Sequence, residues 1–390
     1  MGKFNFDEII ERNNTDCMKY SAGASVEGLS KDHIPMWIAD MDFACPNNIL
    51  EAMKKRIDQR IIGYTMPYSD EYFNAVISWF KRRFNWDVKK ETIVHSSGVV
   101  AALDTAVKQL TKEGDGVIFC TPAYTPFNNV TVNNKRVPVY SPLINDNGYY
   151  TFNYDEIEEF AKKEENTLFI LCNPHNPTGR VWREEELRKV IDICLENDVF
   201  VISDEIHGDL TRTNETYIPA LSLYPDCKKI IACTAPSKTF NIAGNQLSNI
   251  IIPDEEIART WWNAHLCGMP NPIALAACQA AYSEKESEEW LEEMREYVDE
   301  NFKYVESFLK EKLPKSVFSY PEGTYLAWID LSAYGSDEEL EKKIGANGVY
   351  IEYSDRDFVR DAKGYVRINI ACPKSILVEA MDRIADALLK

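Results

Sequence analysis

Several things that mark common protein classes are missing from this chain. Its ten cysteines include no Cys-x-x-Cys pair, and none of its five histidines lies at i, i+4 from another histidine or a cysteine. Neither a disulfide framework nor a zinc site is therefore expected. Positive charge is scarce: 43 basic residues stand against 62 acidic ones, a formal net charge of −19. Such a field repels phosphate backbones and anionic lipid, which argues against nucleic acid or a membrane as partner. No apolar run approaches the roughly 18 residues of a membrane span. No apolar signal segment opens the chain. Unpaired cysteines such as Cys120, Cys172, Cys194 and Cys233 lie in apolar runs, where thiols act as small hydrophobes. A reduced, cytoplasmic protein without metal is the expectation.

Low-complexity linkers and internal repeats are also missing, so organisation must be read from periodicity. With 390 residues, 45% of them hydrophobic, the chain can build two domains around a large core. Between about residues 90 and 255 short apolar runs alternate with amphipathic ones. TIVHS, GVIFC, RVPVY, TLFILC, VFVIS, KIIAC and SNIII read as seven buried strands. VVAALDTAVKQL reads as a helix, as does REEELRKVIDICLEN with Leu187, Val190, Ile191 and Cys194 on one face. Strand and helix in alternation predict an α/β fold, a mostly parallel sheet with helices on both faces.

The texture changes after residue 283. Ser283 and Glu286 form a capping-box pattern ahead of a helix of about thirty residues, with Trp290, Met294, Tyr297, Val298, Val305 and Leu309 on its apolar stripe. This helix is expected to lead into a second, smaller α+β domain holding TYLAWIDL, YVRINIA and a final amphipathic helix. The division expected is 1–45 packing with the small domain, 46–283 as the large domain, and 284–390 as the small one.

In open parallel sheets, ligands bind beyond the carboxyl ends of the strands. Five such ends here carry Ser96-Ser97-Gly98, Thr121 to Tyr124, Asn173 to Gly179, Asp204 to His207, and Thr234 to Lys238. Together they describe a pocket for an anionic, aromatic, carbonyl-bearing cofactor, and pyridoxal phosphate fits each part. Gly98, Val99 and Val100 at a helix start offer N–H groups and a dipole to the phosphate. Tyr124 offers a flat face to the ring, and Asn176 a donor to its phenolic oxygen. Asp204, leaving an apolar strand, would hold the pyridine nitrogen protonated, although a residue of this type there also suits a helix N-cap. At ~4 Å and an effective dielectric of about 20 that pair is worth roughly 4 kcal/mol. Lys238 would form the Schiff base to the aldehyde. An ordinary lysine holds its proton at pH 7 by about 4.6 kcal/mol, so the site must desolvate this amine.

The chain resembles fold-type I pyridoxal-phosphate enzymes of the class I/II aminotransferase family, with an aspartate aminotransferase-like large domain. Within that family it is most similar to the cystathionine β-lyase-like branch of MalY/PatB C–S lyases. The resemblance runs nearly end to end through PMWIADMDF (35–43), GYT (63–65), SSGVV (96–100), LCNPHNPTGRVW (171–182), SDEIHGDL (203–210), APSKTFNIAG (235–244), GTYLAWID (323–330) and VRINIACP (366–373). His207 stands where many relatives carry tyrosine, and Gln246 where many carry a phosphate-gripping arginine; both match the lyase pattern. The resemblance implies that His207 and Ser237 help hold the cofactor. It also implies that Arg367 grips the substrate's α-carboxylate, with Ala39 and Asn176 beside the substrate, and that Tyr64 reaches a neighbouring subunit's phosphate in a homodimer. Lys238, Asp204 and Tyr124 are the catalytic candidates. Three departures stand out: Ser96-Ser97 where proline commonly precedes the glycine, Asn245 where leucine is common, and EYSDRDFVRDAKG (352–364) where the family has a glycine-flanked phenylalanine loop. The last is expected to bear on the leaving-group side of the pocket and to leave the cofactor residues untouched.

The activity implied is β-elimination on an L-cysteine thioether such as cystathionine, a small amino-acid substrate, giving pyruvate, ammonia and a thiol. Two alternatives stand beside it. An aminotransferase would share the early chemistry and differ in where the proton returns. A cofactor-bearing regulator would act through protein contacts.

Overall fold

The structure is a computed structural model describing residues 2–67, 69–264 and 269–390. All seven expected strands fall in one sheet, ordered Ile93–Ser96, Ser248–Ile251, Ile230–Thr234, Phe200–Asp204, Asn166–Cys172, Gly116–Thr121 and Val137–Pro142. Only Ser248–Ile251 runs against its neighbours. The strands read as continuous apolar runs because both faces are covered. Along them, side chains alternate between two separate cores: Ile118, Phe169, Leu171, Ile230 and Ala232 face one, while Val117, Phe119, Leu168, Ile170, Ile231 and Cys233 face the other. That alternation is the period of two built into extended backbone.

Helices close both cores. Val99–Leu110 buries Val99, Ala102, Leu103, Ala106 and Val107 against the central strands. Glu184–Glu196 covers the opposite core with Leu187, Val190, Ile191 and Cys194, the stripe read from the sequence. Burial of each such Leu, Ile or Val side chain stabilises the fold by about 1.5–3 kcal/mol. Among the described residues, no helix is long and apolar enough to cross a membrane.

The long helix is Lys285–Lys312, with Trp290, Met294, Val298, Val305 and Leu309 buried and Tyr297 half-buried. Its expected capping box does not form. Ser283 is instead the last residue of the preceding helix, Pro272–Ser283, and its hydroxyl donates back to the Gln279 carbonyl at 2.6 Å. An N-cap must leave helical backbone geometry, which a residue closing the previous helix cannot do. Glu284 takes the N-cap position without a side-chain cap.

Beyond this helix, Leu326–Asp330, Tyr365–Asn369 and Glu352–Tyr353 form an antiparallel sheet, and Lys374–Leu389 is the final helix. The chain's beginning packs here too. Ile34–Pro35 pairs in parallel with Val349–Tyr350, and the Phe6 ring lies 5.6 Å from those of Trp290 and Tyr297.

Candidate active site

Register places the strand ends along one edge. Cys172 and Cys233 each pair with Asp204 on the strand between them, and Thr234, Asn249, Ser248, His95 and Ser96 continue the line. Over this edge opens a cleft of about 420 Å³. Lys238, Asp204, Tyr124, Asn176, His207, Ser237, Gly98, Val99, Val100, Arg367 and Ala39 all line it. Tyr64 does not: its side chain is 98% exposed on the surface of the single chain, next to the exposed Ile61 and Ile62.

Lys238 sits on the short helix Pro236–Thr239 and its ammonium donates to the Ala39 carbonyl. Burial lowers its proton affinity to a pKa of about 8, although Asp40 and Asp204 pull the other way. Asp204 ends its strand buried, and its carboxylate accepts one hydrogen bond, from Ile206 N at 3.2 Å. Burial raises its carboxyl to about 7. A carboxylate so exposed to desolvation holds its charge only when a cation or strong N–H donor stands against it. The N-cap reading does not hold, because a turn and no helix follows Asp204: its carboxylate accepts a turn N–H and faces the cleft.

Arg367 projects from Tyr365–Asn369. Its Nη1 donates to Asn176 Oδ1 at 2.7 Å, its Nη2 donates to Glu352, and its Nε has no hydrogen-bond partner. Because Asn176 Oδ1 is engaged by the guanidinium, the amide N–H group is what that residue has left to offer a ligand. The Asn176 backbone N–H donates to Cys172 Sγ at 3.4 Å, anchoring the turn to the strand end. His207 is buried with an edge-on Tyr325 ring at 6.1 Å and no partner on Nδ1. Burial first, then Lys238 and Arg367, lower its pKa to about 3, so the ring is neutral.

Gly98 caps Val99–Leu110 in extended backbone with no side-chain cap, and a Cβ built on it would meet nothing within 4 Å. The helix N-terminus thus opens into space, as an anion cradle needs. Tyr124 is held in Ala123–Tyr124, directly opposite Phe358 in the short strand Phe358–Val359. This corrects the expectation for 352–364. The segment does reach residues expected to hold cofactor and substrate: it pairs with the strand carrying Tyr124, stacks Phe358 5.0 Å from the Arg367 guanidinium, and delivers Glu352 to Arg367. Thr125 Oγ1 bonded to the Asp357 carbonyl and Thr121 bonded to Asp361 fasten it there. Sequence spacing hides the contacts at Ala123–Tyr124, Thr125 and Thr121 because they join residues more than 200 positions apart.

A second missed group fixes the Ala39 carbonyl. Lys19, its side chain fully buried, donates to Asp42 at 2.7 Å and to the Asp40 carbonyl at 2.9 Å. Arg12 pairs with Asp40 at 2.6 Å and Asp42 at 3.0 Å. Asn369 Nδ2 donates to the carbonyls of Ile38 and Asp40, and Asn241 Nδ2 to those of Met41 and Phe43. The only sequence signal for this clamp was the acid pair inside PMWIADMDF.

The fold and the cleft define a class: an α/β protein whose sheet edge brings a desolvated lysine, a desolvated aspartate, an open helix N-terminus and a buried arginine together. Residues 31–384 match the family described as aminotransferase class I and II, and the chain belongs to that family. It is 41% identical to cystathionine β-lyase PatB of Bacillus subtilis, over 98% of this chain and 100% of that one. Protein MalY of Escherichia coli is 29% identical over 99% of both chains. Among solved structures, the PLP-bound C–S lyase from Staphylococcus hominis superposes with a TM-score of 0.92 at 42% identity, covering 99% of this chain and 98% of that one.

Proposed function

We propose that this chain is a pyridoxal-phosphate-dependent carbon–sulfur β-lyase that cleaves L-cystathionine or related L-cysteine S-conjugates. Full-length likeness to PatB and to a PLP-bound C–S lyase supports the reading. The observation that carries it is the pairing, in one cleft, of a lysine lowered to about 8 with a buried aspartate raised to about 7.

The cleft's residues fit the cofactor. The open N-terminus of Val99–Leu110, with Ser237, suits the phosphate, and Tyr124 suits a ring face. The unpartnered His207 Nδ1 and the free amide of Asn176 suit polar groups on the ring's edge. Asp204, costly to ionise alone, suits a protonated pyridine nitrogen. When bound, pyridoxal phosphate supplies the carbonyl that captures an amine and the ring that withdraws electrons from the substrate's Cα. Arg367 orients the amino acid by its α-carboxylate. Lys238, with its lowered proton affinity, takes the Cα proton near neutral pH, a role worth about 10²–10⁴-fold. The thiolate departs with the C–S bonding pair, and hydrolysis yields pyruvate and ammonia.

Tyr64, exposed beside Ile61 and Ile62, supports a homodimer in which this ring serves the partner's cleft. The buried free thiols Cys120, Cys172, Cys194 and Cys233 fit a reducing, cytoplasmic setting. Incubation of the purified protein with L-cystathionine decides the chemistry. Pyruvate and homocysteine without a 2-oxo acid acceptor are expected; turnover only with an acceptor would make it an aminotransferase.

A further inference from the structure

Glu352 and Arg367 are directly opposite in the antiparallel pair of Glu352–Tyr353 and Tyr365–Asn369, so both side chains leave the sheet on one face. Their side chains are 17% and 3% exposed, and both line the cleft. Glu352 accepts from Arg367 Nη2 while Asn176 holds Nη1 and Nε stays unpartnered. Nη2 belongs to both two-donor edges of a guanidinium, the Nε/Nη2 edge and the Nη1/Nη2 edge. Nη2 carries one N–H on each edge, so Glu352 takes up one of the two edges and neutralises the charge that would draw a second carboxylate to the other.

We propose that Glu352 is an internal competitor for the substrate's α-carboxylate. It holds Arg367 in the resting enzyme and competes for its charge with the carboxylate of an incoming amino acid, so it sets the affinity and the carboxylate selectivity of the cleft. This rests on the reading of Arg367 as the α-carboxylate anchor. Around Glu352 stand Arg367 from the opposite strand, Arg356 and Asp357 from the turn that follows, and Lys238 from across the cleft. Asp357 is itself engaged by Arg356 and by Tyr353 N. Burial, joined by Asp357, raises the Glu352 carboxyl above its ordinary value, while Arg367 and Arg356 oppose that rise. Protonation on acidification would remove the competing charge.

The test compares L-alanine with ethylamine, which has the amine and lacks the carboxylate. Each is titrated into the PLP-loaded enzyme, with cofactor absorbance giving the dissociation constant. Glu352→Gln should tighten L-alanine relative to ethylamine by about tenfold or more, the effect of removing a like charge at this range. In the wild type the same preference should grow as pH falls through the raised Glu352 titration, and in Glu352→Gln it should stay flat. Glu352→Ala should shift the preference in the same direction, and thermal melts of the loaded variants report their folding. An unchanged preference in both variants overturns the proposal. So does weaker L-alanine binding, which would make Glu352 an orienting partner of Arg367. Arg367→Ala separates the two readings: it should erase the L-alanine preference, and if the preference survives, the carboxylate anchor itself has been misassigned.

Discussion

Two sets of buried and half-buried charges in this molecule are treated in opposite ways. In the clamp under the Ala39 carbonyl, Lys19, Arg12, Asp40 and Asp42 saturate one another with ion pairs between 2.6 and 3.0 Å. In the cleft, Asp204 accepts a single turn N–H, Lys238 has one backbone carbonyl, and His207 Nδ1 and Arg367 Nε have no partner. Saturation suits groups whose task is to hold a segment still. Unfilled valences suit groups waiting for a ligand, and at Lys238, Asp204 and His207 burial displaces the proton affinity. The clamp serves the cleft, because the carbonyl it fixes is the one Lys238 points at.

The contrast can be broken experimentally, most sharply at the lysine. Lys238→Ala should lower pyruvate release from cystathionine by at least about a thousandfold, through loss of base and cofactor anchor, in a protein that still folds. Retained turnover would place the chemistry elsewhere.

Asp204→Asn should separate activity from stability. Turnover should fall by about a hundredfold or more, since roughly 4 kcal/mol of charge pairing with the ring is lost. The cofactor-free variant should nevertheless be more stable than the wild type above neutral pH. The folded carboxyl is raised from 3.8 to about 7, so ionising it opposes folding. The gain should be absent below pH 4, grow between there and about pH 7, and approach a ceiling of about 4 kcal/mol. Thermal melts of both apoproteins across that range check the sign.

Lys19→Met should act in the opposite sense. It leaves Asp42 buried with only Arg12 and Tyr20 in reach, and should cost about 3 kcal/mol in chemical denaturation. A neutral or stabilising result would mean that the clamp resembles the cleft after all. At the small end, Ser283→Ala should change stability by less than about 0.5 kcal/mol, where loss of a working N-cap would cost about 1 kcal/mol.

Much of the site was legible because its residues lie within a few positions of the apolar runs that place them. Asp204 ends its strand, Gly98 starts its helix two residues after another, and Lys238 comes four residues after a third. Glu352 was not legible. It faces Arg367 only because two strands fifteen residues apart pair in one register, and a one-residue slip would turn it to the other face. Lys19 reads as an ordinary surface lysine until its neighbours are assembled around it. Ser283 matched a four-residue pattern while the backbone was still helical there.

The amino-acid sequence by itself determined the central sheet, its two covered faces and the chemistry carried at its carboxyl edge. Those follow from local periodicity and from side chains adjacent to the strands. Tertiary structure alone decided which charges are satisfied and which are left open, and that the 352–364 segment joins the cleft. Burial and pairing depend on residues far apart in the chain, and a charge's energy is set by what surrounds it rather than by what precedes it.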